Sequence, residues 1–246
     1  MKTNDKPKLY LIPNFLNDQI SPENVFPEYN KMVIRNLTHF IAEHEKSARR
    51  LIKSILPQKS QNELHFFLLN KHTPVAELGN FLQPMQKGYS MGLISDAGLP
   101  AIADPGSQII HLARKYDFEI KPLVGPSSIF LALMASGLNG QHFEFHGYLP
   151  VNTPQLIKKV KQLENETIRQ NKTQIFIETP YRNDRLLQIL LKNLKENTML
   201  CVAVDLTGPN EKIHTYNIAL WRRKKLSFHK IPAVFLLGNS NTRQKL

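Results

Sequence analysis

Cysteine is almost missing from this chain of 246 residues. Cys201 stands alone, so no intramolecular disulfide can form and a structural zinc site of cysteines is excluded. That usage fits a reducing compartment. Residues 1–7 are polar and lack the apolar stretch of a signal peptide, and no later run reaches the roughly 18 apolar residues that span a bilayer. A cytoplasmic protein without a membrane partner is expected. Internal repeats, low-complexity tracts, a phosphate loop of the nucleotide-hydrolase type and a Gly-x-Gly-x-x-Gly turn after a strand are absent too. His142 and His146 lie four residues apart with no further ligand at metal spacing. They are read as packed or surface imidazoles, and no metal is expected.

Acidic residues are outnumbered, 20 against 32 lysines and arginines, for a net charge of +12. The imbalance is local. Residues 1–150 hold 15 basic against 13 acidic side chains, a net +2, whereas 151–246 hold 17 against 7, a net +10. A polyanion, nucleic acid first, is the natural partner for the basic last third; a solvated cationic face is the plain alternative. With 41% hydrophobic and 21% charged residues the chain has the balance of a globular protein. Its length suits one large domain or two of about 120 residues.

Apolar runs and helical spacings alternate along the chain. Residues 8–12 read as a strand closing at Pro13-Asn14. Residues 24–37 read as a helix with Val25, Phe26, Tyr29, Val33 and Leu37 inward and Pro27 near its first turn, and 39–42 as a second strand. Residues 45–56 make an amphipathic helix, with Ala48, Leu51, Ile52 and Ile55 opposite Lys46, Arg49, Arg50 and Lys53, stopped by Pro57. Residues 64–69 are nearly all apolar, as for a strand covered on both faces, and 74–86 read as a helix. There follow a strand at 91–94, a helix at 107–115, a strand at 119–124, a helix at 129–136 ended by Gly137, and a strand at 143–148. A basic helix at 153–171, a strand at 174–178, a helix at 185–195 and strands at 199–204 and 233–237 complete the order. The alternation predicts an α/β fold with a parallel, doubly covered sheet. Topology puts a boundary near 122–126, giving domains 1–122 and 123–246.

One stretch organises the rest. The short apolar run 91–94 stops abruptly at Ser95 and Asp96 and continues through Gly98, Pro100 and Pro105 into the next helix. Small residues leave main-chain groups uncovered, so a ligand can approach the backbone, and Asp96 and Asp104 can face a cationic group. In open α/β sheets a loop at the carboxyl end of a strand is the usual ligand site, with an ordinary strand-to-helix connection as the alternative. Gly125-Pro126-Ser127-Ser128 has the same design, with serines able to cap the helix that follows. Arg222-Arg223-Lys224-Lys225, beside Trp221 and Phe228, reads either as a grip on an RNA backbone or as a solvated hairpin turn.

Four blocks in order carry a resemblance: Ser95-Asp96-Ala97-Gly98-Leu99-Pro100-Ala101-Ile102-Ala103-Asp104-Pro105-Gly106, Gly125-Pro126-Ser127-Ser128, Phe145-His146-Gly147-Tyr148-Leu149-Pro150 and Ile177-Glu178-Thr179-Pro180-Tyr181-Arg182. They resemble the ribosomal RNA small subunit methyltransferase I family of the tetrapyrrole methylase superfamily, over residues 9–238. The resemblance implies two α/β domains with the cofactor cleft between them, S-adenosylmethionine as methyl donor, and a homodimer. It further implies methylation of a cytidine ribose 2′-oxygen in the decoding region, so small-subunit ribosomal RNA or the ribosomal subunit is the implied partner. Carried over by position, Pro13, Asp96, Ala97, Gly98, Leu99, Pro100, Ala101 and Ile102 would line the cofactor, with Ser127 and Ser128 beside it. Tyr148, Leu149, Glu178 and Thr179 would come from the second domain, and Pro232 and Ala233 would close over the adenine side. Displacement at a sulfonium methyl is in-line, so much of its rate comes from aligning the acceptor oxygen. Glu178 is the candidate catalytic residue that orients or deprotonates this oxygen, and Arg182 the candidate phosphate contact.

The chain departs from the family pattern in four places. A Thr-Pro-Ile-Gly-Asn-Leu turn is replaced by Ile12-Pro13-Asn14-Phe15-Leu16-Asn17, and an Ala-Glu-Asp-Thr-Arg block by Ala42-Glu43-His44-Glu45-Lys46. A His-Glu-rich strand end becomes Leu69-Asn70-Lys71-His72, and an Arg-Glu-Leu-Thr-Lys block becomes Val204-Asp205-Leu206-Thr207-Gly208. Cofactor loops are kept better than the segments expected to meet substrate. Methylation of a tetrapyrrole or other small acceptor, and RNA or ribosome binding without catalysis, are the alternatives to RNA methylation.

Overall fold

A computed structural model describes residues 6–70 and 72–239; Lys71 lies outside the described residues. The chain parts between Ser127 and Ser128 into two compact units, each with its own sheet. In the first, β1 (Lys8–Ile12), α1 (Glu28–Asn36), β2 (His39–Ala42), α2 (Glu45–Ile55) and β3 (His65–Leu68) come first. α3 (Leu78–Phe81), α4 (Gln83–Gln86), β4 (Met91–Ile94), α5 (Ser107–Lys115) and β5 (Glu119–Pro122) follow. The strands form one parallel sheet in the order β3-β2-β4-β1-β5.

Three local expectations give way here, each for a definable reason. The helix expected from 24 begins only at Glu28, with Pro27 as its N-cap, because a residue before proline avoids the α region; residues Pro22–Asn24 form a separate 3-10 turn. The helix expected over 74–86 is split into a 3-10 turn at Val75–Glu77, α3 and α4, with Pro84 in the first turn of α4, since proline cannot continue a helix from the preceding turn. β3 is not covered on both faces: it is the edge strand, and Leu68 is 47% exposed. Its aromatics find partial cover instead, Phe66 under the Arg49 guanidinium at 4.6 Å and Phe67 against Phe81 at 5.6 Å. α2 meets its expectation, burying Ala48, Leu51, Ile52 and Ile55.

The second unit comprises α6 (Ser128–Ser136), β6 (Phe143–Tyr148), α7 (Thr153–Gln170), β7 (Thr173–Ile177), α8 (Asn183–Asn193), β8 (Met199–Val204), β9 (Lys212–Asn217), α9 (Ile218–Trp221) and β10 (Ala233–Gly238). Its sheet runs β6-β7-β10-β8-β9 and is mixed, which corrects the expectation of a parallel sheet throughout. Only β6 and β7 are parallel; β10 lies antiparallel to β7 and β8, and β9 antiparallel to β8. The turn from β8 to β9 is too short for the crossover a parallel pair needs. β9, Lys-Ile-His-Thr-Tyr-Asn, was not expected as a strand because its polar residues belong to an outer strand that needs little apolar patterning. The core stacks Phe176 on Phe235 and seats Trp221, whose Nε1 donates to the Leu200 carbonyl at 2.7 Å. The run 222–225 leaves α9 and is no hairpin turn; Arg222 donates back to the Leu191 and Leu194 carbonyls and pairs with Glu196. Among the described residues no helix is long and apolar enough to cross a membrane.

Candidate active site

In the first unit β2, β4, β1 and β5 are neighbours, and the turns leaving their carboxyl ends form one rim. β4 is buried along its length, so the chain surfaces only after Ser95, whose hydroxyl donates to the Gly98 carbonyl at 2.7 Å and closes the loop on itself. Asn14, two residues past β1, exchanges both main-chain hydrogen bonds with Gly98, at 2.9 and 3.1 Å. Its side-chain amide is 3% exposed and donates to the Ser95 carbonyl at 2.9 Å, the Asp96 carbonyl at 3.1 Å and Ser47 Oγ at 3.2 Å. Its Oδ1 accepts from the Phe15 N–H at 2.8 Å. One buried amide thus ties the end of β1, α2 and the loop after β4 together.

The loop is built from residues that most chains avoid at such angles. Gly98 sits at φ +67, where only glycine is at ease, and a Cβ there would lie 3.2 Å from Leu16 Cδ2. Ala101 and Ala103 also have positive φ, 65 and 59. Asp104 holds this strained segment: its Oδ1 accepts from the Ala101 and Gly106 N–H groups, both at 2.8 Å. Burial pushes the Asp104 carboxyl above its ordinary range, against the opposite pull of those two bonds. Asp104 therefore faces inward, and Asp96 is the carboxylate the loop presents outward. Pro13 packs on Gly125, where any Cβ would overlap the proline ring, so the turn after β5 is pressed against the end of β1.

Asp96 pairs with Nδ1 of His44, from the turn after β2. That hydrogen bond, with the charges of Asp96 and Glu43 assisting, raises the His44 pKa above the ordinary imidazole value. Ligand-type atoms of Glu43, His44 and Asp96 lie within 4.8 Å of one another. Sequence reasoning noted Asn14 and His44 only as departures and missed that both grip the loop. The signals available were a polar residue directly after a Pro-terminated strand and a histidine in a carboxylate-flanked block.

In the second unit, Tyr148 pairs with Ile177 at the end of β7, Val234 pairs with Ile177 from the other side, and Ala233 pairs with Val204. Tyr148, Leu149, Glu178, Thr179, Pro232 and Ala233 therefore lie at one end of the neighbouring strands β6, β7 and β10. Tyr148 is 56% exposed, whereas Leu149 is buried in the core. Glu178 is buried, and its Oε1 accepts four contacts: Thr179 N–H at 2.6 Å, Thr179 Oγ1 at 3.3 Å, and Arg182 Nε and Nη2 at 2.9 and 2.5 Å. The two expected catalytic side chains thus bind each other. Ser127 and Ser128 are half-buried where the units part, and Ser128 opens α6. His146 Nε2 bonds Gln174 Oε1 at 2.6 Å, and His142 Nδ1 faces the Gln170 carbonyl at 3.2 Å.

No protein-family model matches the chain. It is 33% identical over 153 residues to the ribosomal RNA small subunit methyltransferase I of Vibrio cholerae serotype O1, covering 62% of this chain and 52% of that protein. The protein of the same name from Escherichia coli O157:H7 is 32% identical over 148 residues, covering 60% and 50%. The chain spans about half the length of these relatives. Among solved structures, the methyltransferase CobJ superposes with a TM-score of 0.63 at 16% identity, over 98% of this chain and 97% of its own. The uroporphyrin-III-C-methyltransferase of Thermus thermophilus gives 0.55 at 15% identity, over 96% and 93%. The chain is thus similar in sequence, over about 60% of its length, to proteins named ribosomal RNA small subunit methyltransferase I, and it shares its two-sheet α/β fold with the CobJ and uroporphyrin-III-C-methyltransferase structures.

Proposed function

We propose that the protein is a methyltransferase that uses S-adenosylmethionine and acts on a ribose 2′-oxygen of small-subunit ribosomal RNA, in the cytoplasm and as a homodimer. The observation that carries this reading is the loop 95–106 at the carboxyl ends of adjacent parallel strands, in a chain whose relatives bear that name. The residues present fit the donor: small side chains at 97, 98, 101 and 103 leave the backbone approachable, and Asp96 turns its carboxylate outward. When bound, S-adenosylmethionine supplies an electrophilic methyl group on a positively charged sulfur. In the first unit Pro13, residues 96–102 and Ser127 are the residues proposed to hold it; in the second unit the proposed contacts are Ser128, Tyr148, Leu149, Glu178, Thr179, Pro232 and Ala233.

Glu178 spends one oxygen on four donors, which leaves Oε2 to receive the acceptor hydroxyl. That geometry supports an orienting role, with Arg182 holding the carboxylate in place. Dimerisation is supported by α6, which buries Ile129, Ala132 and Leu133 yet leaves Phe130 55% and Met134 76% exposed. A helix apolar all round seeks cover on both sides. One specific observation favours a second acceptor class: the structural likeness to CobJ and the uroporphyrin methyltransferase covers nearly the whole chain. Transfer of labelled methyl from S-adenosylmethionine to small ribosomal subunits, naked RNA or a tetrapyrrole decides. Label in the RNA is expected; label on the tetrapyrrole alone would replace the reading, and cofactor binding with no transfer would leave an RNA-binding paralogue.

A further inference from the structure

The 3-10 turn Pro180–Arg182 directly follows Glu178 and Thr179 and thrusts Tyr181 into solvent with 70% of its surface exposed. The turn itself is held firmly. The Lys230 N–H donates to the Pro180 carbonyl at 3.0 Å, and Arg182 N–H to the Thr179 carbonyl at 2.8 Å. Beneath it the wholly buried Asn183 donates to the Ile231 carbonyl at 2.6 Å, and Asp184 accepts from the Phe228 N–H and the Ser227 hydroxyl, both at 2.6 Å. Lys230 is kept at φ +62 by these contacts, a conformation a lysine does not choose. Its Nζ stands 5.8 Å from the centre of the Tyr181 ring, and the His229 ring meets that ring edge-on at 6.1 Å. The result is a rigid base carrying an exposed aromatic face with a cation and an imidazole at its side.

An aromatic ring that packs on no core and is carried on a hydrogen-bonded turn is suited to stacking on something flat. The cation beside it, in a stretch of net charge +10 over residues 151–246, makes that partner anionic. Flat and anionic together describe an unpaired nucleotide. The other basic cluster is less suited, because Arg222 is consumed by the Leu191 and Leu194 carbonyls and by Glu196.

We propose that Tyr181, with Lys230 and His229, is a stacking platform for a single-stranded RNA base, set beside Glu178 so that the strand carrying the acceptor ribose is fixed there. The proposal rests on the RNA reading above. Its test is anisotropy of a fluorescein-labelled single-stranded oligoribonucleotide with the full chain, alongside calorimetry with S-adenosylmethionine and thermal melting. Tyr181→Ala is expected to weaken RNA binding about 5- to 150-fold, the range of one lost base–aromatic stack, with melting and S-adenosylmethionine affinity unchanged. Tyr181→Trp should retain binding, and Lys230→Gln should lower the slope of log affinity against log salt by about 0.7. A duplex of the same sequence should compete poorly, since its bases are already stacked. Wild-type affinity in Tyr181→Ala, or a duplex that competes equally, overturns the platform and leaves the RNA reading standing. A wild-type protein that binds no RNA overturns both.

Discussion

Replacement of Asn14 tests whether the loop after β4 is set by a single buried amide. In Asn14→Ala the Ser95 carbonyl loses a buried donor at 2.9 Å and the Phe15 N–H loses a buried acceptor at 2.8 Å. The Asp96 carbonyl and Ser47 hydroxyl lose a partner as well, but Asp96 is exposed and its carbonyl can take water instead. A buried group left without a partner costs about 1–3 kcal/mol, so two of them bound the loss at about 2–6 kcal/mol. The main-chain bonds between residues 14 and 98 survive the substitution, which places the expected loss in the lower half, about 2–4 kcal/mol. At about 2–4 °C per kcal/mol for a chain of this size, the melting midpoint should fall by about 4–16 °C. Asn14→Asp separates chemistry from shape: it keeps the volume but points a carboxylate at two carbonyl oxygens, so it should be at least as damaging as alanine. Urea unfolding and calorimetric titration with S-adenosylmethionine read both effects. If both variants unfold with the wild-type midpoint and bind the cofactor normally, the Ser95 hydroxyl suffices to set the loop and the reasoning about Asn14 fails.

Three further outcomes follow from the same rim. Gly98→Ala forces a side chain to φ +67 and to within 3.2 Å of Leu16, and should cost about 1–2 kcal/mol in unfolding experiments; Gly98→Trp should abolish S-adenosylmethionine binding by calorimetry, and unchanged affinity would refute the loop as donor site. Gly125→Ala drives a methyl into the ring of Pro13 and should lower yield and stability by more than Gly98→Ala does, whereas equal melting midpoints would show that the turn can retreat. His44 has a folded-state pKa above 6.5, so the ion pair with Asp96 is complete below that value and is lost as pH rises through the folded pKa. Imidazole titration by NMR should give a midpoint above 6.5 that returns to the ordinary value in Asp96→Asn; a wild-type midpoint at or below 6.5 would contradict the pairing.

Much of the first unit was legible because β1, β2 and β4 are short apolar runs between helices whose faces can be read at helical spacing, as in α2. What could not be read was position within the sheet. β3 has the composition of a central strand, and only the order β3-β2-β4-β1-β5 reveals it as an edge whose aromatics are covered by Arg49 and Phe81. In the second unit the direction of β10 was hidden for a related reason: burial on both faces gives the same apolar run whether neighbours run parallel or antiparallel. β9 carries too few apolar residues to declare itself, and its pairing with β8 is supplied by the turn in which Gly208 donates to the Asp205 carbonyl at 2.7 Å.

The same distinction between local pattern and distant contact explains what the site withheld. The loop 95–106 announces itself because its chemistry is contiguous, but its supports come from residues 14 and 44, which no local pattern links to it. These are two of the four places where the chain leaves the family pattern, and the structure sets both against one residue, Asp96: Asn14 on its carbonyl and His44 on its carboxylate. A third, at 204–208, instead forms the β8–β9 turn, and the fourth includes Lys71, outside the described residues. The departures are therefore not all of one kind. Those at Asn14 and His44 act on the loop proposed to hold the donor, so changing them should move S-adenosylmethionine affinity before RNA affinity. Exchanging His44 for Asp, the residue of the family block, puts a second carboxylate against Asp96 and should weaken the loop's hold on its own conformation. Calorimetry on His44→Asp with unchanged cofactor affinity and an altered RNA affinity would reverse this assignment and move residue 44 to the acceptor side.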